Sequence, residues 1–230
     1  MKERWQKISA LALAAALTLL GGVQVFADGE QAPLTVGQSG PQPVLLAAAS
    51  AETGTDGLQY SYHADNTATV IDYTGTATEL VIPAEVTHEG KTYKVTAIGY
   101  EAFRGNSTLT RVTIPEGVTD IGEFAFDACE SLTRVTIPEG VTAIGGHAFN
   151  DCASLTSITI PEGVTTIASY AFSDCTSLTN VTIPEGVTYI RNLAFWGCTS
   201  LTSVSLPASL TECDQAFYGL NRTKVTFAHQ

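Results

Sequence analysis

Large apolar side chains recur along this chain at one long, fixed period. In Leu155–Ser177, LTSITIPEGVTTIASYAFSDCTS, they stand at Leu155, Ile158, Ile160, Val164, Ile167 and Phe172. Leu109–Ser131, Leu132–Ser154 and Leu178–Ser200 repeat the same 23 residues with a few substitutions. The shared frame is L-T-x-[VI]-T-I-P-E-G-V-T-x-I-x-x-x-A-F-x-x-C-x-S. A degraded copy precedes this block, ending in Ala102-Phe103, and another follows from Leu201, ending in Ala216-Phe217. A period in the twenties predicts a stacked solenoid of about six turns.

Frame positions 2 to 6 are rich in β-branched residues and predict a short strand, which the proline at 7 ends. I-P-E-G then fits a type I turn, with Pro second and Gly fourth. V-T-x-I at positions 10 to 13 alternates again and predicts a second short strand. Positions 15 to 20, around the Ala-Phe pair, read as a single helical turn. Alanine at 17 is small where the backbone passes close. One unit buries too little apolar surface to offset the entropy of ordering its own backbone. Stacking adds strand pairing and burial against neighbours, and it turns each frame position into a column of like residues.

The L-x-x-[VI]-x-[IL]-P strand, the I-x-x-x-A-F segment and the Cys or Asn before the next Leu resemble the BspA-like leucine-rich repeat, a class of bacterial surface proteins. The resemblance covers about residues 80–227. It implies a right-handed leucine-rich-repeat solenoid of the α/β-horseshoe type, mainly β with short helical turns. It also implies adhesion to host or bacterial surface proteins, although a repeat of this kind is a scaffold for many functions.

The ends of the repeat block read as caps. Leu58–Tyr62 and Thr67–Tyr73 alternate like two strands around Asp65-Asn66, which predicts an N-terminal hairpin cap. Leu80-Val81-Ile82-Pro83 is the first repeat strand, residues 84–94 are an insertion with Gly90 at a turn, and Val95–Phe103 rejoins the frame. The last copy is one residue short before Ala216-Phe217, and Lys224–Phe227 reads as a final strand. Irregularity at both ends is the expected mark of capping, and residues 58–230 therefore read as one complete repeat domain.

Upstream, Lys2, Arg4 and Lys7 precede an apolar run from Ile8 to Leu20, and Val25-Phe26-Ala27 offers small residues for cleavage. Residues 1–27 read as a secretory signal peptide cut after Ala27, with an apolar run too short to span a bilayer. Residues 28–57, with Pro33, Pro41, Pro43 and an Ala/Ser-rich stretch, read as a flexible spacer. Loss of the signal segment would take the net charge from −12 to −14. So acidic a product repels nucleic acid and anionic membranes, and no later stretch is long and apolar enough to insert. The expected location is secreted, or held at the cell surface.

The cysteines and glutamates set the candidate chemistry. Cys129, Cys152, Cys175 and Cys198 share position 21. Stacked α-carbons lie within disulfide range, and an exported protein can be oxidised. The column also holds Asn106 and Leu220, however, and side chains in a column run parallel. Buried free thiols are therefore the favoured reading over disulfides. A linear ladder of sulfurs cannot surround zinc. Cys213 replaces the Ile of position 13 and reads as another small hydrophobe. Glu116, Glu139, Glu162 and Glu185 stack at the turn as a solvated acidic ridge, and no calcium-loop motif accompanies them. His63, His88, His147 and His229 are scattered, and H-E-x-x-H, G-x-S-x-G and G-x-x-x-x-G-K-[ST] are missing. The expectation is no enzyme, no metal and no cofactor.

Two surfaces remain. Strand positions 3 and 5 face outward, with Thr113, Thr136, Thr159, Thr182 and Ser205 at 5 and Arg111, Arg134, Ser157, Asn180 and Ser203 at 3. The variable positions of the later copies gather Tyr189, Arg191, Leu193, Trp196 and Tyr218. Tyr, Trp and Arg are the types enriched at binding hot spots, so Tyr189, Arg191, Trp196 and Tyr218 are the predicted ligand-binding residues. Trp196 lying over the helical turn as partial core is the competing reading. Arg191 is expected beside Asp214, and Trp196 stacked on Tyr218. The function that follows is a secreted or cell-surface binding module of adhesin type, recognising extracellular host or bacterial surface proteins or glycans. A structural spacer of a bacterial surface layer, without a specific ligand, is the alternative.

Overall fold

The computed structural model describes residues 57–213, 215–220 and 226–229. The expected signal peptide, residues 1–27, lies outside the described residues, as does the spacer apart from Gly57. The hairpin cap is present: β1 (Leu58–Tyr62) pairs antiparallel with β2 (Thr67–Tyr73). Its bend is set by Asn66 at φ 65°, and the Asp65 carboxylate accepts hydrogen bonds from the Thr67 N–H and hydroxyl. β3 (Glu79–Val81) is the first repeat strand. The insertion folds as a second hairpin of β4 (Glu85–His88) and β5 (Lys91–Ile98). Glu89 and Gly90, both at positive φ, form its two-residue turn, the geometry that matches strand twist.

Each following turn contributes two short strands. The strands at positions 3 to 5 are β6 (Arg111–Thr113), β8 (Arg134–Thr136), β10 (Ser157–Thr159), β12 (Asn180–Thr182) and β14 (Ser203–Leu206). Those at positions 12 and 13 are β7 (Asp120–Ile121), β9 (Ala143–Ile144), β11 (Thr166–Ile167) and β13 (Tyr189–Ile190). β15 (Thr226–His229) lies two residues past the start expected for the final strand and pairs parallel with β14. Like pairs with like in strict register: Ile121, Ile144, Ile167 and Ile190 form one column, and Ile158, Val181 and Val204 part of another. The expected columns are therefore real.

One sheet runs from β1 and β2 through β5, β7, β9 and β11 to β13. The opposite wall is two sheets, β3-β6-β8 and β10-β12-β14-β15. The strand ladder is interrupted between β8 and β10, although the Thr156 N–H still donates to the Thr133 carbonyl at 3.3 Å.

The core between these walls is one stack of rings. Phe103, Phe126, Phe149, Phe172, Phe195 and Phe217 lie with centroids 4.7 to 5.5 Å apart. Tyr73 of the cap continues the stack, 5.5 Å from Phe103, and so seals its N-terminal end with an aromatic ring. Alanine at position 17 is buried in every turn, and each Phe N–H donates to the Ala carbonyl of the next turn, as from Phe103 to Ala125 at 2.8 Å. The backbones meet here, which is why the column tolerates no larger side chain.

Two local expectations change. The hydrogen-bonded turn starts at proline, one residue later than the I-P-E-G reading: the Val118, Val141, Val164 and Val187 amides donate to the carbonyls of Pro115, Pro138, Pro161 and Pro184. Segment 15 to 20 is not a helical turn, and no α-helix occurs among the described residues. Position 16 (Glu101, Phe124, His147, Tyr170, Leu193, Gln215) lies at φ 55–58°. Position 20 holds Gly105, Ala128, Asp151, Asp174, Gly197 and Gly219, also at positive φ. A left-handed residue twice per turn aims N–H groups along the solenoid axis, so they bond the next turn instead of closing a helix.

Candidate functional site

Several columns are committed to holding the turns together. The Thr110, Thr133, Thr156 and Thr202 hydroxyls each donate to the carbonyl of the residue one turn earlier in their column, at 2.8 to 3.4 Å. Thr119, Thr142, Thr188 and Thr211 do the same at position 11. The glutamates of the turn are exposed, and two of them reach the following turn: the Glu162 N–H donates to Glu139 and the Ala208 N–H to Glu185. They form a wet ridge that also braces the stack.

The four cysteines of position 21 are buried free thiols. Each donates to the carbonyl of a position-18 phenylalanine: Cys129 to Phe103, Cys152 to Phe126, Cys175 to Phe149 and Cys198 to Phe172, at 3.0 to 3.2 Å. Burial pushes Cys129 and Cys198 up to about 12, and Cys152 and Cys175 well above the ordinary thiol value. A thiol in this state is neither nucleophile nor metal ligand. Cys213 departs from expectation: it is exposed. Among the described residues the sheet of position-13 strands ends at β13, beyond which only the bridge between Tyr189 and Glu212 continues, so no described strand covers its side chain.

The outward direction of positions 3 and 5 is borne out. Arg111, Arg134, Ser157, Asn180 and Ser203 are exposed, and Thr136, Thr159 and Thr182 with them. Where β8 and β10 fail to pair, Arg134, Thr136, Ser157 and Thr159 border an opening of about 380 Å³. Its walls are hydroxyls and strand backbone, with one cation and no exposed aromatic ring.

The four predicted binding residues all lie on the surface. Tyr189, Trp196 and Tyr218 are 40, 41 and 64% exposed, three of six large apolar side chains so placed among the described residues. The Arg191 guanidinium stands over the Tyr189 ring, 5.6 Å from its centroid. Tyr189 forms a parallel bridge with Glu212 of the next turn. Asp214, the proposed partner of Arg191, lies outside the described residues. The expected Trp196–Tyr218 stack is not among the ring contacts of the described residues. The Trp196 indole lies instead over Gly219, 3.2 Å from where a Cβ would stand, because a residue without a side chain leaves it room to fold down. Trp196 is thus part cover for the next turn and part free surface.

The sequence reading missed an aromatic edge. At position 16 the Phe124, His147 and Tyr170 rings stack 4.6 Å apart, within 12° of parallel, and Tyr100 meets Phe124 edge-on. Arg104 lies over Phe124, pairs with Glu101, and donates to the buried Asp127, which also accepts from Asn150. The signal was in the sequence as ring-bearing residues in one column of three successive copies. These rings cover one another's faces, so the edge braces strained turns more than it offers a flat platform. Beside it, burial and then the nearby Glu130, Asp174 and Asp127 raise the Asp151 carboxyl above its ordinary value. Among the described residues no group of three or more His, Cys, Asp or Glu side chains is placed to hold a metal.

No curated protein matches the chain. Among solved structures it is similar to the leucine-rich repeat protein TpLRR of T. pallidum, at 30% identity and TM-score 0.62, covering 78% of this chain and 85% of that one. A leucine-rich repeat protein of Bacteroides ovatus is 31% identical with TM-score 0.60, over 70% of this chain and 49% of its own. A leucine-rich cell surface protein of Faecalibacterium prausnitzii is 38% identical with TM-score 0.57, over 80% of this chain and 56% of its own. The chain thus spans about half the length of the latter two. The family model for the BspA type leucine rich repeat region matches residues 94–228 in 6 copies. Repeat frame, stacked core and family match agree, and the chain belongs to the BspA-type leucine-rich repeat family.

Proposed function

We propose that this protein is a secreted or cell-surface binding module of adhesin type, which recognises an extracellular protein or glycan with the surface of its last two copies of the repeat, from Leu178 onward. The observation that carries this reading is that Tyr189, Trp196 and Tyr218 are exposed, together with Arg191, in two successive turns of a chain otherwise rich in Thr, Ser and Gly. Large amphipathic rings left in water at one end of a scaffold are the residues that anchor interfaces. The cell-surface description of the Faecalibacterium protein supports the same location. No helix among the described residues is long and apolar enough to cross a membrane. The columns support a non-catalytic role: repeated hydroxyls and carboxylates tied to neighbouring turns are spread along the stack.

The test is capture from arrays of host extracellular proteins, bacterial surface proteins and glycans, comparing the wild type with Trp196→Ala and Tyr218→Ala. Binding lost in both variants with unchanged melting supports the proposal. Binding that both variants keep, while Arg111 or Arg134 substitutions abolish it, moves the site to the strand face. Intact mass of the exported product should show Asp28 as the first residue. A product retaining Met1 would remove the secretory reading.

A further inference from the structure

Position 14 changes character along the stack. It reads Gly99, Gly122, Gly145, Ala168 and then Arg191. In the early turns the column is closed by backbone: a Cβ on Gly122 would lie 2.8 Å from the Gly99 carbonyl carbon, and one on Gly145 2.5 Å from the Glu123 nitrogen. No ligand group enters there. Ala168 and Arg191 carry the Cβ that the earlier turns exclude, so side chains stand at this end where backbone closes the column before it. In that place Ser169, Ile190, Arg191, Asn192, Glu212 and Gln215 line an open depression of about 450 Å³.

Its chemistry is specific. Ile190 is buried in the floor. Arg191, Asn192, Glu212 and Gln215 are exposed, and among the described residues their side chains make no hydrogen bond or ion pair to another described residue. Their backbones are fixed all the same: the Ile190 N–H donates to the Glu212 carbonyl, the Tyr170 N–H to Asn192, and the Leu193 N–H to Gln215, at 2.9 to 3.2 Å. Four planar polar groups, two amides with a guanidinium and a carboxylate, therefore stand on a rigid frame, and among the described residues no side-chain partner takes up their donors and acceptors. The Tyr189 ring flanks them beneath Arg191.

We propose that this depression is a subsite for a neutral sugar unit, which makes the ligand of the binding module a neutral glycan. The inference rests on the binding-module reading. A sugar hydroxyl both donates and accepts, and planar polar side chains satisfy it in pairs, while buried Ile190 in the floor offers an apolar surface to its C–H face. The size suits one or two sugar rings. Charge selects against acidic glycans: among the described lining residues Arg191 is offset by Glu212, and the whole chain carries −12. A flat protein epitope would leave the depression unfilled and its polar groups unpaired.

The test is titration of the full chain, by saturation-transfer NMR and calorimetry. The probes are neutral tetrasaccharides of glucose, galactose, mannose and N-acetylglucosamine, with tetragalacturonic acid as the charged comparison. The variants are Asn192→Ala, Gln215→Gly (Gln215 lies at φ 56°, where glycine is accommodated) and Thr159→Ala on the other wall. At least one neutral probe should bind saturably, with both depression variants weakening it by about tenfold or more and Thr159→Ala leaving it unchanged. Three results overturn the inference. No neutral probe saturates, tetragalacturonic acid binds more tightly than the neutral probes, or a neutral probe binds equally well to Asn192→Ala and Gln215→Gly. If the chain captures a protein through Trp196 and Tyr218 but no neutral probe, the glycan inference falls and the binding-module reading stands.

Discussion

Phe172→Ala removes the central ring of the core stack. Phe172 is fully buried and lies between Phe149 at 5.5 Å and Phe195 at 5.4 Å, so both faces of the ring are covered. Its carbonyl also receives the Cys198 thiol at 3.1 Å, and its N–H donates to Ala194 at 2.9 Å. These backbone bonds survive the substitution, whereas the ring does not. Truncating a buried Phe to Ala costs about 3–5 kcal/mol through lost transfer energy and the cavity left behind. The upper half of that range is expected here, because inter-turn backbone bonds on both sides keep the stack from collapsing into the void. In a chain of this size each kcal/mol lowers Tm by about 2–4 °C, so a fall of roughly 8–20 °C should appear. Urea unfolding followed by far-UV circular dichroism gives the free energy directly. Thr159→Ala, exposed on β10, should fall within about 0.5 kcal/mol of wild type. A broadened or two-step transition in Phe172→Ala alone would fit a stack cut in the middle. Equal losses in Phe172→Ala and Thr159→Ala would refute the assignment of inward and outward columns.

Alkylation at neutral pH should label one thiol per native chain, at Cys213, and all five after denaturation without reductant; a second native label, or a mass two units low per pair, would contradict the buried ladder. Asp151 holds its proton to higher pH in the folded chain than in the unfolded one, so between those two values the native state binds more protons and stability falls as pH rises. Asp151→Asn should therefore gain stability over wild type at pH 7 and lose that advantage near pH 3; an equal difference at both pH values would show that Asp151 is not the source. Ala128→Gly relieves a left-handed residue at φ 55° and should stabilise by up to about 1 kcal/mol in thermal unfolding, whereas a loss would mean that the Ala128 methyl packs usefully.

What the sequence made legible is what periodicity controls. Apolar positions that must touch their own copies one turn away leave a signature at every repeat, so the register of Ile121, Ile144, Ile167 and Ile190 and the Phe stack were both visible beforehand. The segment around Ala-Phe was misread as helical because its apolar spacing fits a helical turn as well as a pair of tight turns. The deciding feature is positive φ at positions 16 and 20, and only position 20, with Gly105, Gly197 and Gly219, advertises it in residue type. At position 16 Phe124, His147 and Tyr170 adopt the left-handed conformation without any glycine to announce it, and their mutual stacking offsets part of the backbone cost. The four cysteines of position 21 are buried as expected and Cys213 is not, and the hydrogen bonds of the four to the Phe carbonyls depend on an offset between columns that spacing alone does not give.

The candidate site was legible only in part, for a related reason. Residue type alone singled out Tyr189, Arg191, Trp196 and Tyr218, since large rings and a guanidinium stand out in a Thr- and Gly-rich frame. Asn192, Glu212 and Gln215 do not stand out, and they come from two different turns. What assembles them is the pairing of two successive turns, at the end of the stack where position 14 changes from glycine to Ala168 and Arg191. In a perfect repeat every turn would present the same surface, and a ligand could not choose among them. A local recess arises only where the repeat is broken, and here the break coincides with the change from small to large side chains. Departures from the frame late in the stack are thus where specificity can reside, while adherence to it in the core keeps those departures in place.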